Sequence, residues 1–270
     1  ILGPNGSGKT TLLGIIMEVL KATDGTYLWQ GDAESHKQRR NIGTLLETPN
    51  FYHYLSGEKN LVISAEIKQK NKEEIPLVLQ TVNLLQRKDS KFSTYSLGMK
   101  QRLAIGSALL GDPDILVFDE PTNGLDTAGI AEIRQLIKDL IKKGKTIIMA
   151  SHILDEVEKV CTHVAIIQKG HLKTCGPVSE VLGTSKDKTV SITVAADDIE
   201  KLESLVSGIP GVLSFEQVEG QVVLKCDSYL NPASINEYFF RNGVILTQLY
   251  MKRKTLETRF LEITGNQSDR

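Results

Sequence analysis

The chain has 270 residues, 40% hydrophobic and 24% charged, enough for one large domain or two modest ones with a real core. Its formal net charge of −1 lacks the basic surplus of a nucleic-acid binder, so no nucleic-acid partner is expected. Three widely spaced cysteines, Cys161, Cys175 and Cys226, argue against a disulfide framework, and no run of about 18 apolar residues exists to span a bilayer.

No signal peptide is visible. Ile1-Leu2 reads as the end of a buried strand, so we expect further strands upstream, and weak or no ligand binding by a chain that lacks them. Gly3-Pro4-Asn5-Gly6-Ser7-Gly8-Lys9-Thr10 matches G-x-x-x-x-G-K-[ST], and Thr11-Leu12-Leu13-Gly14-Ile15-Ile16 continues as a helix. Glycines let such a backbone curl its N–H groups toward phosphate, and the helix N-terminus adds positive partial charge. Lys9 is expected to reach the β- and γ-phosphates of ATP and Thr10 to ligate Mg²⁺. A glycine-rich turn without ligand is the competing reading of the loop alone.

Ile115-Leu116-Val117-Phe118-Asp119-Glu120 delivers carboxylates to the C-terminal end of a buried strand, where open α/β sheets place their ligands. Asp119 is the expected Mg²⁺ partner and Glu120 the expected general base, against a strand that merely ends in two surface acids. Residues 130–141 carry apolar side chains at helical spacing and stop at Lys142-Lys143-Gly144. The apolar runs at 146–149 and 164–167 complete an α/β pattern with a mainly parallel sheet. His163 and His171 lie near Cys161 and Cys175, but the spacings match no zinc pattern, so ordinary packing is expected there.

The pattern changes after Gly183-Thr184-Ser185. Residues 189–194 alternate as a strand, Leu202, Leu205 and Val206 suggest a helix, and a hairpin is expected around Glu219-Gly220. Asn231-Pro232 reads as a helix start, and residues 244–249 as a strand. This β-α-β-β-α-β order predicts a small α+β, ferredoxin-like domain. The tail, residues 255–265, has helical spacing. The expected domains are 1–185, α/β with a helical part at about 50–110, and 186–270, the accessory domain.

Tyr95-Ser96-Leu97-Gly98-Met99-Lys100-Gln101-Arg102 resembles the LSGGQ signature of ATP-binding cassette (ABC) ATPases, with Leu97 and Lys100 departing from its second Gly and its Gln. Asp119-Glu120-Pro121-Thr122-Asn123-Gly124-Leu125-Asp126 resembles the family's Walker B and D-loop, and Ser151-His152 its switch histidine. Five motifs in order over residues 1–183 identify a P-loop NTPase of the ABC type. The resemblance implies nucleotide contacts from Gly3 to Thr11, and catalytic roles for Lys9, Glu120 and His152. It also implies a head-to-tail dimer of this chain or a close paralogue, in which Ser96 and Gly98 reach the opposing γ-phosphate and Asp126 couples the sites. A separate membrane permease would hold the subunit on the cytoplasmic membrane face.

Glu47 stands where the family usually has a Gln beside Mg²⁺. This variant, with the following residues 51–61, resembles ATPases of bacitracin export and lantibiotic immunity, so export of a peptide antibiotic or drug, or immunity to one, is the expected role. The tail resembles the ending of ABC-2-type ATPases. Phe51, Tyr52 and Tyr54 are open to two readings: packing the helical part's own core, or lining a groove for a permease helix. Two other functions are weighed. A soluble, non-transport ABC ATPase would carry two cassettes or a long coiled coil, and neither is seen. A non-catalytic regulatory cassette is opposed by intact Lys9, Asp119, Glu120 and His152.

Overall fold

The apolar runs form strands because each is covered on both faces. In the computed structural model, which describes all residues except 30, 34–38, 47–49, 182–188, 219, 228, 253–255 and 266–270, strands β3 (Ile42–Leu45), β4 (Ile115–Asp119) and β5 (Thr146–Ala150) pair in parallel in the order β3-β4-β5. Two short strands precede them, β1 (Leu28–Trp29) and β2 (Asp32–Ala33), paired antiparallel. Residues 1 and 2 extend the parallel sheet. Leu2 bridges Ser151 on one side and Ile166 on the other, donating to Ala165 O at 2.7 Å and accepting from Ile167 N at 2.7 Å. The last strand there, β6 (His163–Gln168), pairs with β7 (His171–Pro177).

Alternation along these strands sorts their side chains into two cores. Leu116, Phe118 and Met149 join a cluster with the helices α2 (Gly57–Lys68), α3 (Ile75–Thr81), α4 (Leu97–Leu109) and α5 (Thr127–Lys142). Val117 and Ala150 face the other way, toward Leu13 of helix α1 (Lys9–Ile16). A strand buried on both faces has no polar side to show, which is why these sequences read as continuous apolar runs. The helical elements and the sheet share one core: Phe92, Leu61 and Leu103 lie in the same cluster as Phe118 and Ile137. Helix α5 stops as expected, with Lys143 at its C-cap and Gly144 at φ 88°. Helix α6 (Leu154–Val160) follows β5.

The chain divides into two compact units, residues 1–175 and 176–267. The second opens with α7 (Val178–Val181) and then runs β8 (Thr189–Ala196), α8 (Ile199–Val206), β9 (Val212–Val218), β10 (Gln221–Asp227), α9 (Pro232–Arg241), β11 (Leu246–Lys252) and α10 (Leu256–Thr264). Four strands form an antiparallel sheet in the order β11-β8-β10-β9, the β-α-β-β-α-β order expected from the sequence. Asp198 and Asn231 cap the two helices, accepting from Lys201 N and Ala233 N at 2.9 Å each. The expected strand at 244–249 lies two residues later. Val244 belongs to the stop of α9: its N–H reaches Phe239 O at 2.9 Å, Gly243 N–H reaches Phe240 O at 3.0 Å, and Gly243 sits at φ 75°, the two bonds of a Schellman stop. Glu219, at the expected hairpin tip, is outside the described residues.

Candidate active site

The site forms where three neighbouring strand segments end. Leu2, Asp119 and Ala150 stand side by side, because Asp119 pairs with Ala150 in the β4–β5 register and Leu2 bridges Ser151. The chain leaves each segment into a residue that sequence reading marks: Gly3, Glu120 and, two residues past β5, His152. Parallel pairing brings together groups that are more than a hundred residues apart in the chain.

The loop from Gly3 to Lys9 is held open by glycine. Gly6 and Gly8 take φ of 77° and 102°, which side chains with a Cβ rarely adopt. A Cβ on Gly3 would lie 2.3 Å from Ile167 O and 2.3 Å from Ser7 Oγ. Ser7 Oγ is itself buried with no hydrogen-bond partner. Lys9 is 6% exposed, and its ammonium turns back onto the loop, donating to Gly3 O at 2.9 Å and Pro4 O at 3.2 Å. Thr10 and Thr11 face solvent on the first turn of α1. A loop with an orphaned hydroxyl, glycine-only curvature and a lysine folded over its own carbonyls fits a phosphate chain that supplies the missing acceptors.

Glu120 is the centre of the constellation. Its φ of 48° is left-handed, uncommon for a residue with a side chain, and its N–H is tied to Ala150 O at 3.0 Å. That turn aims the carboxylate back over the strand ends. One oxygen lies 3.6 Å from Lys9 Nζ and the other 2.8 Å from His152 Nδ1. Asp119, one residue earlier, is 92% buried at the strand end, the reverse of a pair of surface acids. Neither the bridge nor the left-handed turn can be read from the string Asp-Glu.

The remaining marked residues lie on the same unit with other partners. Ser96 caps α4, its Oγ accepting from Met99 N at 3.3 Å, and a Cβ on Gly98 would meet nothing within 4 Å. Asp126 caps α5, accepting from Gly129 N at 2.8 Å. Glu47 lies outside the described residues. The aromatic segment divides between its two readings: Phe51 packs edge-on against buried Phe92 at 5.2 Å, whereas Tyr52 and Tyr54 are exposed and meet each other edge-on at 5.9 Å. Sequence reading missed Asn60, which is buried and clamps this segment by accepting from Tyr52 N at 2.8 Å and donating to Tyr52 O and Ser56 O. No His, Cys, Asp and Glu group able to hold a metal occurs among the described residues, and His163 contacts Thr162 instead.

A family model for the ABC transporter matches residues 1–123. An uncharacterized ABC transporter ATP-binding protein of Bacillus subtilis (strain 168), YhcH, is 37% identical over 275 residues, covering 98% of this chain and 86% of its own. The chain belongs to the ABC transporter ATP-binding proteins. Among these, the bacitracin transport ATP-binding protein BcrA of Enterococcus faecalis is 33% identical over 98% of this chain and 86% of its own. The lantibiotic transport ATP-binding protein SrtF of Streptococcus pyogenes is 36% identical over 64% and 75%. A solved ATP-binding cassette of an ABC transporter in its ADP conformation superposes with a TM-score of 0.60 and 26% identity, covering 66% of this chain and 79% of that one. This ABC subunit is therefore a P-loop ATPase that binds nucleotide and hydrolyses ATP. Among its described residues no helix is long and apolar enough to cross a membrane.

Proposed function

We propose that ATP lies on the loop from Gly3 to Thr11 and that Glu120 activates the attacking water. The observation that carries this is the Glu120 carboxylate bridging Lys9 and His152. A general base must lie within reach of the water that attacks the γ-phosphate, and Glu120 stands between Lys9 and His152, the two groups assigned to that phosphate. Lys9 exchanges its loop carbonyls for the β- and γ-phosphates, and His152 faces the γ-phosphate. The oxygen set of Thr10, Asp119 and Glu47 suits a hard cation, and Mg²⁺ held there would neutralise phosphate charge. Ser96 and Gly98, with α4's N-terminus behind them, serve the nucleotide of a second subunit, and Asp126 couples the two sites. That dimer is of this chain with itself or with a close paralogue.

The subunit drives a separate membrane permease and sits peripherally on the cytoplasmic membrane face. Its cargo is a peptide antibiotic or drug, by likeness to the bacitracin and lantibiotic transport proteins. Exposed Tyr52 and Tyr54 are the part of the aromatic segment left for the permease. Residues 1–185 form the ATPase domain, and 186–270 an accessory domain of ferredoxin-like type, supported by its strand order. The test is removal of the gene, with Glu120→Gln as a second arm. Both raise sensitivity to bacitracin or a lantibiotic, and the tagged subunit co-purifies with a polytopic membrane protein. Unchanged sensitivity to both antibiotics refutes the cargo, and purification without any membrane protein refutes the permease.

A further inference from the structure

A cavity of about 480 Å³ lies between the end of α2, the start of β3 and the residue after α1. Arg39, Arg40 and Lys68 line it, with no carboxylate among its described lining residues. Arg39 is ion-paired to Glu18, outside the lining. Arg40 and Lys68 have no ion pair among the described residues, and Lys70 stands beside them with only Asn41 Oδ1 at 3.5 Å. The Lys68 ammonium is held in place by one bond, to Ser107 O at 2.7 Å. Burial, reinforced by the charge of Lys70, pushes its pKa down from 10.5 to about 8. Close cations without a counter-charge repel one another and destabilise the folded chain, so an anion entering here is favoured by Arg40, Lys68 and Lys70.

The walls say what else the anion carries. Thr44 and Gln69 add hydrogen-bonding groups, while Met17, Ile42 and Ile67 are apolar, and Ile67 is 78% exposed at the rim. The volume is several times that of a bare phosphate, and arginine with lysine is the pair that takes phosphate oxygens best. We propose that this cavity is a second ligand site, distinct from the ATP loop, for an organic phosphate. Arg40, Lys68 and Thr44 take the phosphate, and Met17, Ile42 and Ile67 take the organic part. The phosphate belongs either to a soluble phosphate ester or to a lipid headgroup.

Calorimetric titration of the full chain with glycerol 3-phosphate tests the soluble source. Co-sedimentation with phosphatidylcholine vesicles, with and without phosphatidic acid, tests the lipid. Binding in one arm or both is expected, weakened about tenfold or more by Lys68→Met and by Arg40→Gln, the loss of a charge-assisted bond. Lys9→Ala separates this site from the ATP loop and leaves the binding unchanged. Arg40 is exposed, so Arg40→Gln keeps the fold and guards against a loss caused by unfolding. No binding in either arm overturns the proposal, as does binding that Lys9→Ala abolishes or that both cavity variants leave intact. ATP affinity measured on Lys68→Met and Arg40→Gln is unaffected, so failure here leaves the reading of the ATP site standing.

Discussion

Glu120→Gln isolates the charge at the centre of the site. The substitution keeps the size of the side chain and the same left-handed backbone strain, so the fold is retained. Lys9 also stays satisfied, because Gly3 O and Pro4 O still accept from it. What disappears is the carboxylate charge, 3.6 Å from an ammonium that is 6% exposed. At an effective dielectric constant of 20 that attraction amounts to roughly 4–5 kcal/mol before desolvation, and about 1–2 kcal/mol after it. This attraction competes with the γ-phosphate for Lys9. Its loss should tighten ATP roughly tenfold. Loss of the base should lower turnover by about a hundredfold to ten-thousandfold. Phosphate release gives the rate and fluorescent-nucleotide displacement the affinity, each relative to the unsubstituted protein. Turnover within tenfold of the unsubstituted protein would refute Glu120 as base. Unchanged ATP affinity would refute the competition for Lys9.

Gly3→Ala should cost about 1–3 kcal/mol of stability, because its Cβ meets Ile167 O and Ser7 Oγ at 2.3 Å. Gly6→Ala, in open space at φ 77°, should cost about 1 kcal/mol of backbone strain, and calorimetric Tm values that rank the two equally contradict this. Asp126→Ala should lose about 1 kcal/mol of helix capping in urea denaturation, whereas Asp126→Asn keeps the cap. A fall in ATPase cooperativity in the Asn variant then reports coupling and not folding. Lys68 sets a pH dependence. Its pKa lies below the free-lysine value, so between about 8 and 10.5 the unfolded chain holds a proton that the native one has released. Stability from this group therefore rises with pH across that window, by roughly 3 kcal/mol in all. Lys68→Met should flatten the rise in urea-denaturation midpoints, and an unaltered slope refutes the burial of this charge.

Glycine spacing, an apolar run ending in Asp119-Glu120 and the signature at Ser96 were legible because each obeys a local rule. Their meaning as a site was not. Asn60 gave no signal in the sequence, since a buried clamp on Tyr52 is defined by a partner eight residues away and by the core around both. The tyrosines and Phe51 could not be divided by composition, because the burial of Phe51 is decided by Phe92, forty-one positions later. Strand β11 was misplaced by two residues because Val244 is apolar in either role, and the helix stop claimed it.

By itself, then, the sequence determined the loop that must curl around phosphate, the helix caps, the alternation of α and β and the family. The loop and the caps depend on residues within about one turn or one strand of each other, and the alternation and the family on such local signals following one another in order along the chain. Only the tertiary structure decided that Lys9, Glu120 and His152 form one hydrogen-bonded, ion-paired group, and that Arg40 and Lys68 line one cavity with no carboxylate among its described lining residues. Those are properties of parallel strand ends and helix ends meeting, and electrostatic energy depends on distance in space, which chain order does not give.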